Sequence, residues 1–191
     1  MKQNRRFVAA MDNAQKNQYV KTQITNALLR LLEAYELNDL SVSQITEAAQ
    51  VNRVSFYRNY ESKEDILKQY VHQQLRGWQD RYDAEHPAED GIGEMFGSLF
   101  RHFKEHEAFY LLLNKRGLSS IILDSIKRIC GPKPEHSNLE AYFAGFMSYG
   151  IFGWIDEWFA RGMSESADAM AILLKGSVGD SEHAPADKAN G

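Results

Sequence analysis

SVSQITEAAQVNRVSFYRNYESKEDIL, residues 41–67, reads as two short helices joined by a tight turn and followed at once by another helix start. Ser41 with Gln44 three residues on has capping-box spacing, Asn52 is a good N-cap, and Ser62 with Asp65 repeats the cap pattern. The apolar positions Val42, Ile45, Ala48, Ala49, Val51, Val54, Phe56, Tyr57 and Tyr60 predict one inner face. Ser43, Asn52, Arg53, Ser55, Arg58 and Asn59 lie among or outside them. A short helix with so many polar side chains has little structural reason to exist alone, so its outward face is expected to do the work, in the major groove of DNA.

Reading a major groove takes an exposed helix bearing donors and acceptors, with flanking groups that clamp phosphates and fix the register. Arg53 can donate bidentately to guanine O6 and N7, Ser55 can serve a base edge or a phosphate, and Asn59 can reach a base or the backbone near the helix end. The Tyr57 hydroxyl suits a phosphate. Lys63 falls in the first turn of the following helix, where free amides and the helix dipole already favour an anion. Val54 and Arg58 complete the same segment.

Upstream, Val20, Ile24, Ala27, Leu28, Leu31, Leu32 and Tyr35 recur at spacings of three and four, which predicts an amphipathic helix from Tyr19 to Leu37, ended by Asn38-Asp39. Residues 1–17 show no clear period and are expected to be a flexible arm. Downstream, a long helix continues through Ile66, Leu67, Tyr70, Val71, Leu75, Trp78 and Tyr82 and stops before Pro87. Helical spacing returns over 91–104, Phe109–Leu113 and Leu118–Ile129, and Gly131-Pro132-Lys133-Pro134 is a break. A helix from Ser137 to about Gly162 and a short one over Ser166–Lys175 follow. The expectation is an all-α chain: an arm (1–17), a three-helix DNA-binding domain (18–66), a helical effector and dimerisation domain (67–176), and a polar tail (177–191) expected to be disordered.

Composition is that of an ordinary globular protein, with 191 residues, 43% hydrophobic and 25% charged. A single cysteine, Cys130, excludes an intramolecular disulfide framework and fits a reducing compartment. The N-terminal stretch lacks the apolar core of a secretory signal, and the longest uncharged run, Ala141–Ile155, is shorter than the roughly 20 residues that span a bilayer. A cytoplasmic location without membrane association is expected. Net charge is −4, yet residues 1–70 carry 10 Lys/Arg against 8 Asp/Glu, and the remainder 12 against 18. The positive end is the one with the helix-turn-helix pattern, in keeping with DNA binding there.

Residues 22–70 resemble the N-terminal domain of the TetR family of bacterial transcription regulators. The resemblance rests on the first amphipathic helix, on LSVSQITEAAQV and NRVSFYRNYESKEDIL, and on the F-Y-x-x-Y-x-x-K-x-x-I/L spacing of Tyr57, Tyr60 and Lys63. It implies a recognition helix over Asn52–Asn59, phosphate contacts at Tyr57 and Lys63, and a second-helix contact at Ser43. One position departs from the pattern: Gln50 stands where the turn usually carries glycine, and positive φ there costs a non-glycine residue about 1 kcal/mol. FAGFMSYGIFGWIDEWFARGMSES is similar to the last two helices of a subgroup common in Gram-positive bacteria.

The Tyr142–Phe159 helix is apolar on most of its circumference and must be covered on several sides. Dimerisation through the Ser137–Lys175 helices is the reading that best supplies the cover, with Gly145, Gly150 and Gly153 allowing close approach of another backbone. An effector pocket is expected around Phe96, Phe100, Phe103, Tyr110, Phe143, Met147 and Trp154. His102 and His106 stand four residues apart, but two histidines do not make a metal site, and no cofactor is expected. No nucleophile elbow, P-loop or H-E-x-x-H motif is present, which argues against an enzyme. The sequence thus points to a homodimeric, ligand-responsive repressor that binds a palindromic double-stranded operator and responds to a small-molecule effector. Two alternatives stay open: a helical ligand- or protein-binding module that has lost its operator, and a co-activator with a protein partner.

Overall fold

A computed structural model describes residues 12–86 and 92–179, and these form nine α-helices and one 3-10 turn, with no strand among them. Helix α1 (Asn13–Leu32) starts at a complete capping box: Asp12 accepts from the Gln15 amide (2.8 Å), and the Gln15 side chain accepts from the Asp12 amide (3.0 Å). The helix therefore begins within the expected arm, and the arm boundary at residue 17 is corrected; residues 1–11 lie outside the described ones. α1 also ends early. The apolar period extends to Leu37, but the chain leaves the helix after Leu32 and makes a 3-10 turn at Leu37–Asp39. That turn drops Leu37 and Leu40 into the core, 5% and 2% exposed.

Helices α2 (Val42–Ala48), α3 (Arg53–Asn59) and α4 (Lys63–Glu85) follow as the cap signals require. Ser41 and Gln44 close a capping box, the Asn52 carboxamide oxygen accepts from the Ser55 amide (2.7 Å), and Ser62 accepts from Asp65 (3.2 Å). Ile24, Leu28, Leu32, Ile45, Phe56, Ile66 and Leu67 are fully buried and form the core of this head. Three positions of the expected inner face are corrected. Ala48 is exposed at the end of α2, and Val54 is 68% and Tyr57 59% exposed, because on a helix as short as α3 Phe56 and Tyr60 already fill the inward positions.

α4 leaves the head and buries Val71, Leu75 and Trp78 in the second domain. That domain comprises α5 (Ile92–Glu105), α6 (Glu107–Lys115), α7 (Ser120–Cys130), α8 (Asn138–Ala160) and α9 (Ala167–Gly179). α5 packs on α9, α7 on both α4 and α8, and α6 on α8. Its centre is an aromatic cluster: Phe103 meets Tyr110 and Phe159 edge-on at 4.6 and 5.4 Å between centroids, Tyr110 stacks on Phe159, and Phe100 meets Trp158 edge-on at 5.6 Å. The α9 helix continues to Gly179, so the tail boundary at 177 is moved three residues on; residues 180–191 lie outside the described ones. No described helix is long and apolar enough to cross a membrane.

Candidate nucleic-acid interface

The α2–α3 turn decides whether the reading helix is held at a fixed angle. Gln50 has φ 55°, as the sequence pattern requires, and the turn is a full Schellman closure: its amide donates to Glu47 O (3.0 Å) and the Val51 amide to Thr46 O (3.0 Å). The hydrogen bonding is intact despite the missing glycine. Arg30 adds a longer contact (3.5 Å) from α1 to the Ala48 carbonyl at the end of α2. On the far side of α3, the Tyr60 hydroxyl meets Thr25 (3.4 Å), and Gln69 donates to the Asn59 carbonyl (3.2 Å) and to Asp65 (2.9 Å). These bonds tie α3 to both α1 and α4.

The outward face carries Arg53, Val54, Tyr57 and Arg58, all exposed, with Ser55 half-buried beside them and Ser43 exposed in the first turn of α2. Arg53 and Arg58 have no ion-pair partner among the described residues. Two predicted residues are partly occupied within the head. The Asn52 carboxamide oxygen is spent on the cap, and the Asn59 amide donates back to Ser55 O (2.8 Å), leaving its carboxamide oxygen open.

Lys63 is the clearest departure. Its ammonium donates to the carbonyls of Leu37 (2.6 Å), Asn38 (3.0 Å) and Leu40 (2.9 Å), which uses all three protons. The side chain expected to clamp a phosphate instead braces the 3-10 turn between α1 and α2. The sequence spacing locates the lysine correctly but cannot show that the preceding turn offers it three acceptors.

One cationic residue of this face was not legible as such. Lys16 and Asn17, within the expected arm, share an open groove with Ser55, Arg58 and Asn59 because α1 starts early and runs beside α3. The Asp12–Gln15 spacing is the signal that could have found it.

The expected effector residues do not converge. Phe100, Phe103 and Tyr110 are 0% exposed and belong to the aromatic core themselves. Phe143 is 60% exposed on α8, Met147 is half-buried, and Trp154 lines a separate groove between α8 and α9. Only Phe96 borders a small, partly open apolar cavity, of about 80 Å³, together with Leu75 and Trp78 of α4, Met95, Ile126 and Ile151. His102 is turned into the core: its Nε2 pairs with the Tyr110 hydroxyl (2.9 Å), and burial first, then the charges of His106 and Arg81, lowers its pKa to about 4. Among the described residues no three His, Cys, Asp or Glu are grouped to hold a metal.

A short exposed helix with basic and polar ends, held by a closed turn on a three-helix core, defines a helix-turn-helix regulator. The chain belongs to the tetR family of bacterial regulatory proteins, whose model matches residues 24–70; a second model, of a transcriptional regulator C-terminal region, matches residues 90–179. Among solved structures, Lin0861 from Listeria innocua is similar in fold at 15% identity, with a TM-score of 0.68 over 88% of this chain and 93% of that one. The dihydroxyacetone kinase operon activator DhaS aligns with a TM-score of 0.47 and 17% identity over 85% of this chain and 95% of its own. No curated protein matches the sequence.

Proposed function

We propose that this transcription regulator is a ligand-responsive repressor that binds a near-palindromic operator as a homodimer. The observation that carries the DNA reading is the outward face of α3, where Arg53, Val54, Tyr57 and Arg58 stand exposed on a helix fixed from behind. Arg53 is assigned to guanine, Val54 to a thymine methyl, and Ser55 to a base edge or phosphate. Tyr57, Arg58, Ser43 and Lys16 are assigned to phosphates, with Asn59 reaching through its free oxygen. Lys63 leaves the phosphate set, because its ammonium is already saturated.

The dimer reading rests on α8. Leu139, Tyr142, Phe143 and Phe146 are 79%, 74%, 60% and 73% exposed, and their spacing of three and four draws one apolar stripe down the helix. Gly150 and Gly153 continue its length with open space where a Cβ would stand, so a partner backbone can come close. Such a stripe is stable in water only when covered.

Effector response is assigned to the cavity beside Trp78. At about 80 Å³ it is well below the roughly 300 Å³ of an ordinary ligand pocket. A larger ligand therefore has to displace α4, the helix that enters the head, and that is how binding would favour one head position over another. The test is fluorescence anisotropy with duplex DNA flanking the protein's own gene, across a salt series. Sequence-selective, salt-sensitive binding supports the reading; its absence there favours a helical module that has lost its operator.

A further inference from the structure

Arg116 makes a contact that neither the family membership nor the DNA reading accounts for. It caps the end of α6, in the C-terminal domain, and Gly117 follows at φ 66°, turning the chain sharply into α7. From this corner the side chain crosses to the head. Its Nε donates to Leu32 O (2.6 Å), one terminal nitrogen donates to Glu33 O (2.8 Å), and the other pairs with the Glu36 carboxylate. The Arg116 side chain is only 11% exposed and the Glu36 side chain 55%, so the charge-assisted bond to Leu32 is the best shielded of the three and the pair with Glu36 stays open to water.

The acceptors are not arbitrary. Leu32 and Glu33 carry the carbonyls that α1 leaves open where it stops, and Glu36 lies four residues further along the same link. The remaining part of that link, Leu37 to Leu40, is held by Lys63 from α4. The α1–α2 link is thus gripped by two cations, one belonging to the head and one to the other domain. α2 begins immediately after it, and α2 sets the angle of α3 through the Gln50 turn. On the domain side, α6 is fixed to α8 by Asn114, which donates to Asp156 (3.3 Å), and to α4 by the edge-on contact of Phe109 with Tyr70 (5.1 Å).

We propose that Arg116 is a positioning residue that couples the C-terminal helices to the reading head: movement of the α6–α7 corner reaches α2 and α3 through its grip on residues 32–36. Its consequence for operator release rests on the DNA reading above, but the coupling itself does not, and it is tested without DNA.

Hydrogen–deuterium exchange on the full chain reads it directly. The amides of Ala34 and Tyr35 donate to Leu31 O at the end of α1, those of Asp39 and Leu40 to Glu36 O and Leu37 O within the link, and all four report its order. In Arg116→Gln, residues 33–49 should exchange about tenfold faster, since charged hydrogen bonds are lost, while α8 and α9 stay as in the wild type. Arg116→Lys keeps the charge without the fork and should lie between the two. Asp156→Ala, which removes the Asn114 bond to α8 and leaves its bond to Ser119 (3.1 Å), should speed exchange of 33–49 by about threefold, and by much less when combined with Arg116→Gln. Unchanged exchange of 33–49 in both Arg116 variants, loosening spread evenly over all helices, or an equal Asp156→Ala effect in both backgrounds would overturn the proposal.

Discussion

Gln50 holds a left-handed backbone that favours glycine, inside a turn whose hydrogen bonds are all made. The strain is about 1–2 kcal/mol, and the extra freedom of glycine in the unfolded chain offsets roughly half of it. Gln50→Gly is therefore expected to raise stability by about 0.5–1 kcal/mol, read from denaturant midpoints, with DNA affinity unchanged. His102 sets a different sensitivity. Its pKa falls from an unfolded value near 6.5 to about 4, so the folded state keeps it neutral while the unfolded state takes a proton. Stability is full above pH 6.5 and declines as pH drops towards 4, by up to about 3 kcal/mol from this one group. A His102→Asn variant should lose that part of the slope in chemical denaturation measured across the same pH range. The carboxylates of Glu94 and Glu140 are held below the ordinary range by Lys175 and by Ser137, so any loss from them falls below pH 4.5.

At the level of elements, the head was legible where a local signal existed. The caps at Ser41, Asn52 and Ser62 form as their spacing predicts, because a cap is a contact over three residues and needs nothing from the rest of the chain. The end of α1 was not legible, since Tyr35 keeps the apolar spacing going past Leu32 and only tertiary packing ends the helix there and turns Leu37 into the core by another route. The same limit hid Arg116, whose partners lie 80 to 84 positions away along the chain. The aromatic residues of α5 and α6 show it again: their spacing marks a buried face but cannot distinguish a filled core from a pocket wall. Lys63 turns this into a prediction. Removing its ammonium in Lys63→Met leaves three carbonyls of the α1–α2 link without their donor, so stability should fall by about 2–3 kcal/mol. The salt dependence of DNA binding should stay as it is, whereas Lys16→Ala should reduce its slope by about one unit. A flattened slope in the Lys63 variant would return that side chain to the phosphate set.

The whole molecule joins a mildly basic head to an acidic helical domain, with α4 and Arg116 as the ties between them. The exposed stripe of α8 makes oligomeric state the first property to settle. Sedimentation velocity should show a dimer at micromolar concentration, and Phe146→Asp should yield a folded monomer, because a charge at the centre of the stripe cannot be covered. A monomeric wild type would remove the two-fold axis on which the operator geometry depends. The most direct measurement is selection of bound sequences from a random pool of double-stranded DNA by the purified protein, repeated with Arg53→Ala. The account predicts a two-fold symmetric motif with half-sites about one helical turn apart, or a multiple of it, and loss of base preference within each half in the variant. Enrichment of no sequence, or the same motif from both proteins, would contradict it.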